Sequence, residues 1–332
     1  MDEKVLIALY ETGKSDLELA EIFNTSERSI QRLLAQLRLK KKIKARSEIL
    51  TSKTVSFPIK REIDFTPVDW NIVKSSAKTN KKEFKQYLVI ADTHVPHEDQ
   101  KSIKAILKLT EDIKFDGFFI LGDFLECESV SHWLHDKHKN KTLEGKRLEF
   151  EYKEGNRLLD EFDKRLPVGC DKRFWMGNHE RFVEDVLEKM PQLDGLINVI
   201  PNLKLKERGY IVYEEQNHIE KVGKLNIFHG WKGGENPTKS MITQVMGNVL
   251  SGHLHTLEVK MMHSPAKELS TIGISMPCLA TQNPDFMKNQ PNKFSLGFCI
   301  INYYDGGFFQ IDILRIIKSK FIYNNKLYSG GE

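Results

Sequence analysis

Eight oxygen or nitrogen donors stand in five short islands, each closing an apolar run: Asp92 and His94, Asp123, Asn178 and His179, His229, and His253 and His255. The central island, Met176-Gly177-Asn178-His179-Glu180-Arg181, directly follows Arg173-Phe174-Trp175, as a strand reads when it ends by delivering polar side chains. Carboxylate, amide and imidazole without thiolate suit Mn2+, Fe or Zn2+ used for hydrolysis. A single structural ion needs about four ligands. Eight donors, one of them able to bridge, fit two ions better. Two ions about 3.5–4 Å apart clamp a phosphoryl oxygen and generate hydroxide near neutral pH. In isolation Asp123 would read as a turn residue and His229 as a core histidine. Their place in an ordered set is what gives them weight.

The elements needed to carry these islands follow from the hydrophobic pattern. Residues 87–91, 115–121, 173–176 and 224–228 read as buried strands, and helical stretches are expected at 102–109, 143–165 and 181–189. Alternating strand and helix, with polar residues at the carboxyl ends of strands, is the arrangement of sites in open α/β sheets. Beyond His255 the chain becomes β-rich, with runs at 257–259, 269–276, 297–304 and 308–317. Gly306-Gly307 beside Asp305 marks a hairpin turn. A second sheet is therefore expected.

The series Asp-x-His, Gly-Asp, Gly-Asn-His-Glu, His-Gly and Gly-His-x-His, in that order, resembles the calcineurin-like metallophosphoesterase superfamily over about residues 86–320. The resemblance implies a four-layer α/β/β/α sandwich. By motif position it implies that Asp92, His94 and His255 hold a first metal, that Asn178, His229 and His253 hold a second, and that Asp123 bridges them. His179 matches the family's non-ligand histidine, which stabilises the transition state or protonates the leaving oxygen. The implied nucleophile is a metal-bound hydroxide attacking phosphorus in line. One departure is informative. Serine/threonine protein phosphatases of the superfamily extend Gly-Asp into a run ending Asp-Arg-Gly, whose arginine grips phosphate. Here the run is Gly122-Asp123-Phe124-Leu125-Glu126-Cys127-Glu128, and Cys127 cannot make a bidentate phosphate contact. Diesters, nucleic acid included, are left more open than phosphoproteins.

Residues 1–45 read as a separate small domain of three helices. Ser15 followed by Glu18 is a capping-box pattern opening the second helix. The third, from about Ser26 to Leu39, sets Ile30, Leu33, Leu34 and Leu37 at helical spacing. The domain resembles a helix-turn-helix whose last helix could enter a major groove. Arg28, Gln31, Arg32, Gln36, Arg38, Lys40, Lys41 and Lys42 are the candidate DNA contacts. Between Arg28 and Arg46 there are eight basic and no acidic residues, which supplies phosphate neutralisation. A dimerising bundle with a solvated basic face is the plainer reading. Residues 46–84, interrupted by Pro58 and Pro67, read as a linker, with 85–325 as the phosphoesterase domain.

Other chemistry-bearing residues carry less weight. His97 reads as a surface-loop residue, and His132, His135 and His138 as a solvated flank. Glu180 is expected to orient its loop or cap a helix, and Trp231 and Lys232 are secondary candidates for the cleft wall.

Composition bounds the rest. With 332 residues, 40% apolar and 29% charged, the chain can bury a sizeable core. A net charge of +4 is too small for global attraction to nucleic acid, so any such contact must come from local clustering. Scattered Cys127, Cys170, Cys278 and Cys299 read as reduced thiols of a cytoplasmic protein. No apolar run suggests a membrane span. The resulting expectation is a two-metal phosphodiesterase acting on DNA, with Mn2+ as the first choice of ion and Fe, Zn2+ or Mg2+ as alternatives. A homo-oligomer is compatible with it. The alternatives are a phosphomonoesterase or small-molecule phosphodiesterase with a regulatory or dimerising N-terminal domain, and a DNA-binding protein with an inactive phosphoesterase domain.

Overall fold

The computed structural model describes residues 2–12, 14–40, 84–131, 143–215, 217–231, 233–265, 269–282, 292–304 and 306–331. It divides into two compact units, Met1–Ala77 and Lys78–Glu332. The expected linker lies almost wholly outside the described residues, as do Lys41, Lys42, His132, His135, His138 and Lys232.

The first unit holds α1 (Glu3–Glu11), α2 (Asp16–Ile22) and α3 (Glu27–Leu39). Asp2, Ser15 and Ser26 cap the three helices, and Ser15 with Glu18 forms the reciprocal capping box. Leu6, Tyr10, Leu19, Ala20, Ile30, Leu34 and Leu37 close a small core.

The second unit is a sandwich of two sheets flanked by helices. Its elements in order are β1 (Lys85–Ile90), α4 (Gln100–Asp112), β2 (Gly117–Leu121), α5 (Leu148–Asp163), β3 (Asp171–Trp175), α6 (Asn178–Lys189), α7 (Val199–Asn202) and β4 (Tyr210–Tyr213). Then follow β5 (Glu220–Val222), β6 (Leu225–Phe228), α8 (Pro237–Val245), β7 (Asn248–Ser251), β8 (Glu258–Ser264) and β9 (Leu269–Ser275). The chain ends with β10 (Gly297–Tyr304), β11 (Phe308–Arg315), β12 (Lys320–Tyr323) and β13 (Lys326–Ser329).

The first sheet runs β11-β10-β1-β2-β3-β4 and the second β5-β6-β7-β9-β8. Strands β1 to β4 are parallel, as are β6, β7 and β9. One face of each sheet meets the other through Tyr87, Val89, Phe119, Leu121 and Trp175 against Leu225, Ile227, Leu250 and Ile274. The outer face of the first sheet packs on α4, α5 and α6 through Ile106, Leu159, Phe162, Phe182 and Val183. The outer face of the second packs on α8 through Phe228, Val249, Met241 and Ile242. These are the four layers α/β/β/α. Strands buried on both faces read as continuous apolar runs, which is why β2 and the second half of β1 stand out in the sequence.

Candidate metal centre

Parallel strands put their carboxyl ends on one edge, and this edge gathers the islands. Asp92 and His94 follow β1, Asp123 follows β2, Asn178 and His179 open α6 after β3, His229 follows β6, and His253 and His255 follow β7. Since β1, β2 and β3 are neighbours in one sheet and β6 and β7 in the other, two sheets contribute to one site.

The donors converge. His94 Nε2 lies 3.0 Å from His255 Nε2, and His255 Nε2 lies 3.4 Å from Asp92 Oδ1. On the other side His229 Nε2 lies 3.0 Å from Asn178 Oδ1, which is 2.8 Å from His253 Nδ1. Asp123 stands between the two sets, with Oδ2 3.9 Å from His94 Nε2 and 3.3 Å from His229 Nε2. Asp92, His94, Asp123 and His229 are buried.

The loops that hold them are strained. Asp92, His94, Asp123, His253 and His255 all have φ between 47° and 73°, a region that non-glycine residues seldom enter. Each costs on the order of 1–3 kcal/mol, and such outliers cluster where a site must be held in one geometry. Gly177 approaches Asp123 so closely that a Cβ there would overlap its Oδ1.

Glu180 ties these loops together. Its fully buried carboxyl accepts the N–H groups of Gly177 at 2.8 Å, Asp123 at 3.0 Å and Leu125 at 2.8 Å. Burial, with Asp123 nearby, raises it to about 7. By capping Gly177 it starts α6 at Asn178, three residues before the expected start, so Asn178 and His179 lie in a helical first turn.

Glu126, read in the sequence only for the arginine missing beside it, is part of the site. Its Oε2 is 2.6 Å from His94 Nδ1, and its backbone carbonyl is 2.7 Å from His179 Nδ1. Carbonyls and carboxylates only accept, so both Nδ1 atoms donate, and a neutral ring then keeps its lone pair at Nε2. Burial pushes Glu126 up, but His94 and His179 more than offset this and hold it below the ordinary glutamate range. A glutamate three places after the motif aspartate is the signal that could have found it.

The electrostatics suit cations. His229 donates Nδ1–H to the Leu121 carbonyl at 2.6 Å, so its Nε2 faces the acceptors Asn178 Oδ1 and Asp123 Oδ2 as a lone pair. Three acceptors in contact require a positive charge among them. In the metal-free chain a proton meets that need: against burial, Asp123 and Asp92 raise His229 to about 10. Burial disfavours the ionised form of Asp123, yet His229 and His179 hold the carboxylate well below its usual range. Burial and the neighbouring His179 lower His94, leaving it a neutral imidazole, the form that binds a metal. The donor set therefore fits a divalent-metal site: Asp92, His94, Asp123 and His255 lie within mutual reach, as do Asp123, His229 and His253. Identity of the ion is not fixed by such ligands.

Beside this cluster is a small cavity of about 60 Å3, lined by His94, His97, Glu126, His179, His255, Ala280, Thr281 and Phe294. His97 is thus part of the cavity wall rather than a free loop residue, and its Nε2 is 2.7 Å from Glu128 Oε1. Cys127 is buried in a left-handed turn, and among the described residues no arginine lines the cavity. Trp231 does not reach it either; it packs on Phe228 and bonds Gln244. In the N-terminal unit Arg28, Gln31, Arg32, Gln36, Arg38 and Lys40 are exposed. Arg38 alone of these bonds the small core, through Tyr10 Oη at 3.0 Å.

Fold and donor set together define a metal-dependent phosphoesterase. The calcineurin-like phosphoesterase family model matches residues 85–257, more than half of the chain, and the protein belongs to that family. No curated protein matches it in sequence. Among solved structures, Chaetomium thermophilum Vps29 aligns at 9% identity and a TM-score of 0.39, covering 74% of this chain and 100% of that one. Wild-type Vps29 from Entamoeba histolytica complexed with Zn+2 aligns at 12% identity and a TM-score of 0.36, covering 74% and 96%. Vacuolar Protein Sorting 29 from Cryptosporidium parvum aligns at 11% identity and 0.36, covering 74% and 95%. Likenesses this distant transfer no function.

Proposed function

We propose that the protein is a two-metal phosphodiesterase acting on DNA. The observation that carries the two-metal reading is Asp123, placed between the His94 and the His229 donor sets. Asp92, His94 and His255 would hold one ion, Asn178, His229 and His253 the other, with Asp123 shared. Ions bound there would polarise the phosphoryl group and lower the pKa of water. His179 is the proton donor to the leaving oxygen. Its Nδ1 is locked to the Glu126 carbonyl, which fixes the ring and leaves Nε2 to carry the proton. Burial opposes protonation, but Asp123 and Glu126 outweigh it and raise the pKa of His179, which favours the proton-carrying form a general acid needs.

The choice of DNA rests on the exposed face of α3. Arg28, Gln31, Arg32 and Gln36 lie along it opposite Ile30, Leu34 and Leu37, and Lys40 follows. Arginine and lysine on such a face give salt-dependent phosphate contacts. The missing phosphate-gripping arginine also points away from protein phosphatase chemistry. A second reading, cleavage of a small phosphate ester with the N-terminal helices serving regulation or dimerisation, is favoured by the small cavity of about 60 Å3.

Mn2+-loaded protein should be assayed on single- and double-stranded DNA beside p-nitrophenyl phosphate and bis(p-nitrophenyl) phosphate. Cleavage of DNA that falls on Arg28→Ala/Arg32→Ala substitution, with the small diester still hydrolysed, supports the first reading. Turnover of the small esters with DNA left intact gives the second. Inactivity on every ester rejects both.

A further inference from the structure

Helix α5 carries a buried carboxyl that the proposed chemistry does not use. Glu151 is 2% exposed, on the first turn and a half of the helix. Its Oε2 accepts the Cys127 N–H at 2.5 Å, and the Glu128 N–H also bears on the same carboxyl. One turn further along the helix, Gly155 meets Leu125 and Phe124 so closely that a Cβ there would lie 3.0 Å from Leu125 Cδ2 and 3.3 Å from Phe124 Cε1. Residues four apart share a helix face. The face of α5 that presents Glu151 and Gly155 is therefore seated against both ends of the 124–128 turn.

That turn is the frame of the histidines. Its first part is held by backbone: Val95 N–H bonds the Phe124 carbonyl at 2.8 Å, and Glu126 N–H bonds the Val95 carbonyl at 3.0 Å. Beyond Glu126 these strand-like bonds stop, and Cys127 turns left-handed with φ of 51°. The Cys127 N–H is buried, and Glu151 is its partner. Glu126, immediately before it, holds His94 through its carboxylate and His179 through its carbonyl. Glu128, immediately after it, holds His97 and Lys146, each at 2.7 Å.

We infer that Glu151 is a positioning residue for the active site. It fixes the turn at Cys127 and so sets the orientation of His94 and His179 without touching substrate. The inference rests on the phosphoesterase reading above for its effect on rate, but not for its effect on the rings. Its requirement is an acceptor at the end of a two-methylene side chain. A glutamine side chain would retain that acceptor; leucine would not, and aspartate would be one methylene short.

The test compares Glu151→Leu with Glu151→Gln in the full chain. With Mn2+ and bis(p-nitrophenyl) phosphate, kcat should fall on the order of tenfold in Glu151→Leu, as for lost partners of metal-binding histidines, with KM little changed. Glu151→Gln should recover most of it. In metal-free protein, the imidazole 1H–15N signals of His94 and His179 should move in Glu151→Leu and stay in Glu151→Gln. Should Glu151→Leu fail to fold, Glu151→Asp carries the same expectations. A folded Glu151→Leu with unmoved histidine signals, or a glutamine variant as impaired as the leucine one, overturns the inference. A wild type inactive on every ester rejects the phosphoesterase reading alone, because the ring signals still decide the role of Glu151.

Discussion

The two halves of the metal centre are built from similar donors but balanced in opposite ways. On the His94 side, the imidazole is oriented by a carboxylate, Glu126, and burial holds it neutral. On the His229 side, the orienting group is only the Leu121 carbonyl, and Asp123 and Asp92 draw a proton onto the ring against its burial. The first half is a neutral base oriented by a carboxylate. The second demands a cation whatever its source. The contrast teaches that a metal site can compensate its buried charge before metal arrives, and that the two halves need not load alike.

The largest effect should come from removing what they share. Asp123→Asn should lower kcat by on the order of a thousandfold, the loss expected when charge at the reacting group is removed. Metal analysis of the same variant separates the cases: loss of both ions shows halves that depend on each other, and loss of one shows halves that load alone. Next comes His179→Ala, which should cost about 10²–10⁴ in kcat through loss of proton transfer while both ions stay bound. His94, Glu126 and His179 also lie close enough to hold an ion. A drop in metal content in His179→Ala would therefore move His179 from proton donor to ligand and extend the first half.

The smallest effect is on the stability of metal-free protein. His94 has a lowered folded pKa, so its contribution is present above about 6.5, its unfolded value, and is lost as pH falls below it. His229 is raised from 6.5 to about 10, so its contribution is complete below 6.5 and lost as pH rises to 10. Thermal melts in a chelator should therefore weaken on both flanks. His94→Gln should flatten the acid flank and His229→Gln the alkaline one. Equal effects of both variants on one flank would erase the contrast between the halves.

Much of this site is legible in the sequence because its donors recur in order at the ends of buried strands. The residues just before Asp92 and Asp123 are apolar throughout, since β2 and the second half of β1 are covered on both faces; β6 before His229 is apolar except for the buried Asn226. What escapes is what only the folded chain brings together. Glu151 reads as one more acidic residue on a helix, and its meeting with Cys127 spans 24 positions. His97 has no periodic context to mark it. Two local signals do exist: Gly177 with Glu180 is a capping pattern that places the start of α6, and Asn324-Asn325, both at positive φ, is the two-residue turn joining β12 to β13. The start of that hairpin is hidden behind the run ending at Ile317, because Lys318 and Ser319 give no turn signal by type, although both are left-handed. The N-terminal helices are legible for a simpler reason: caps and apolar spacing are both local.

One carboxylate has a further consequence. Glu180 accepts three amides from loops that belong to different strands, the one after β2 and the one after β3. Neither loop can open by local fluctuation without breaking bonds to the same two oxygen atoms. In the language of native-state exchange, the segments carrying Asp123 and Asn178 form one cooperative unit, which opens together or stays shut.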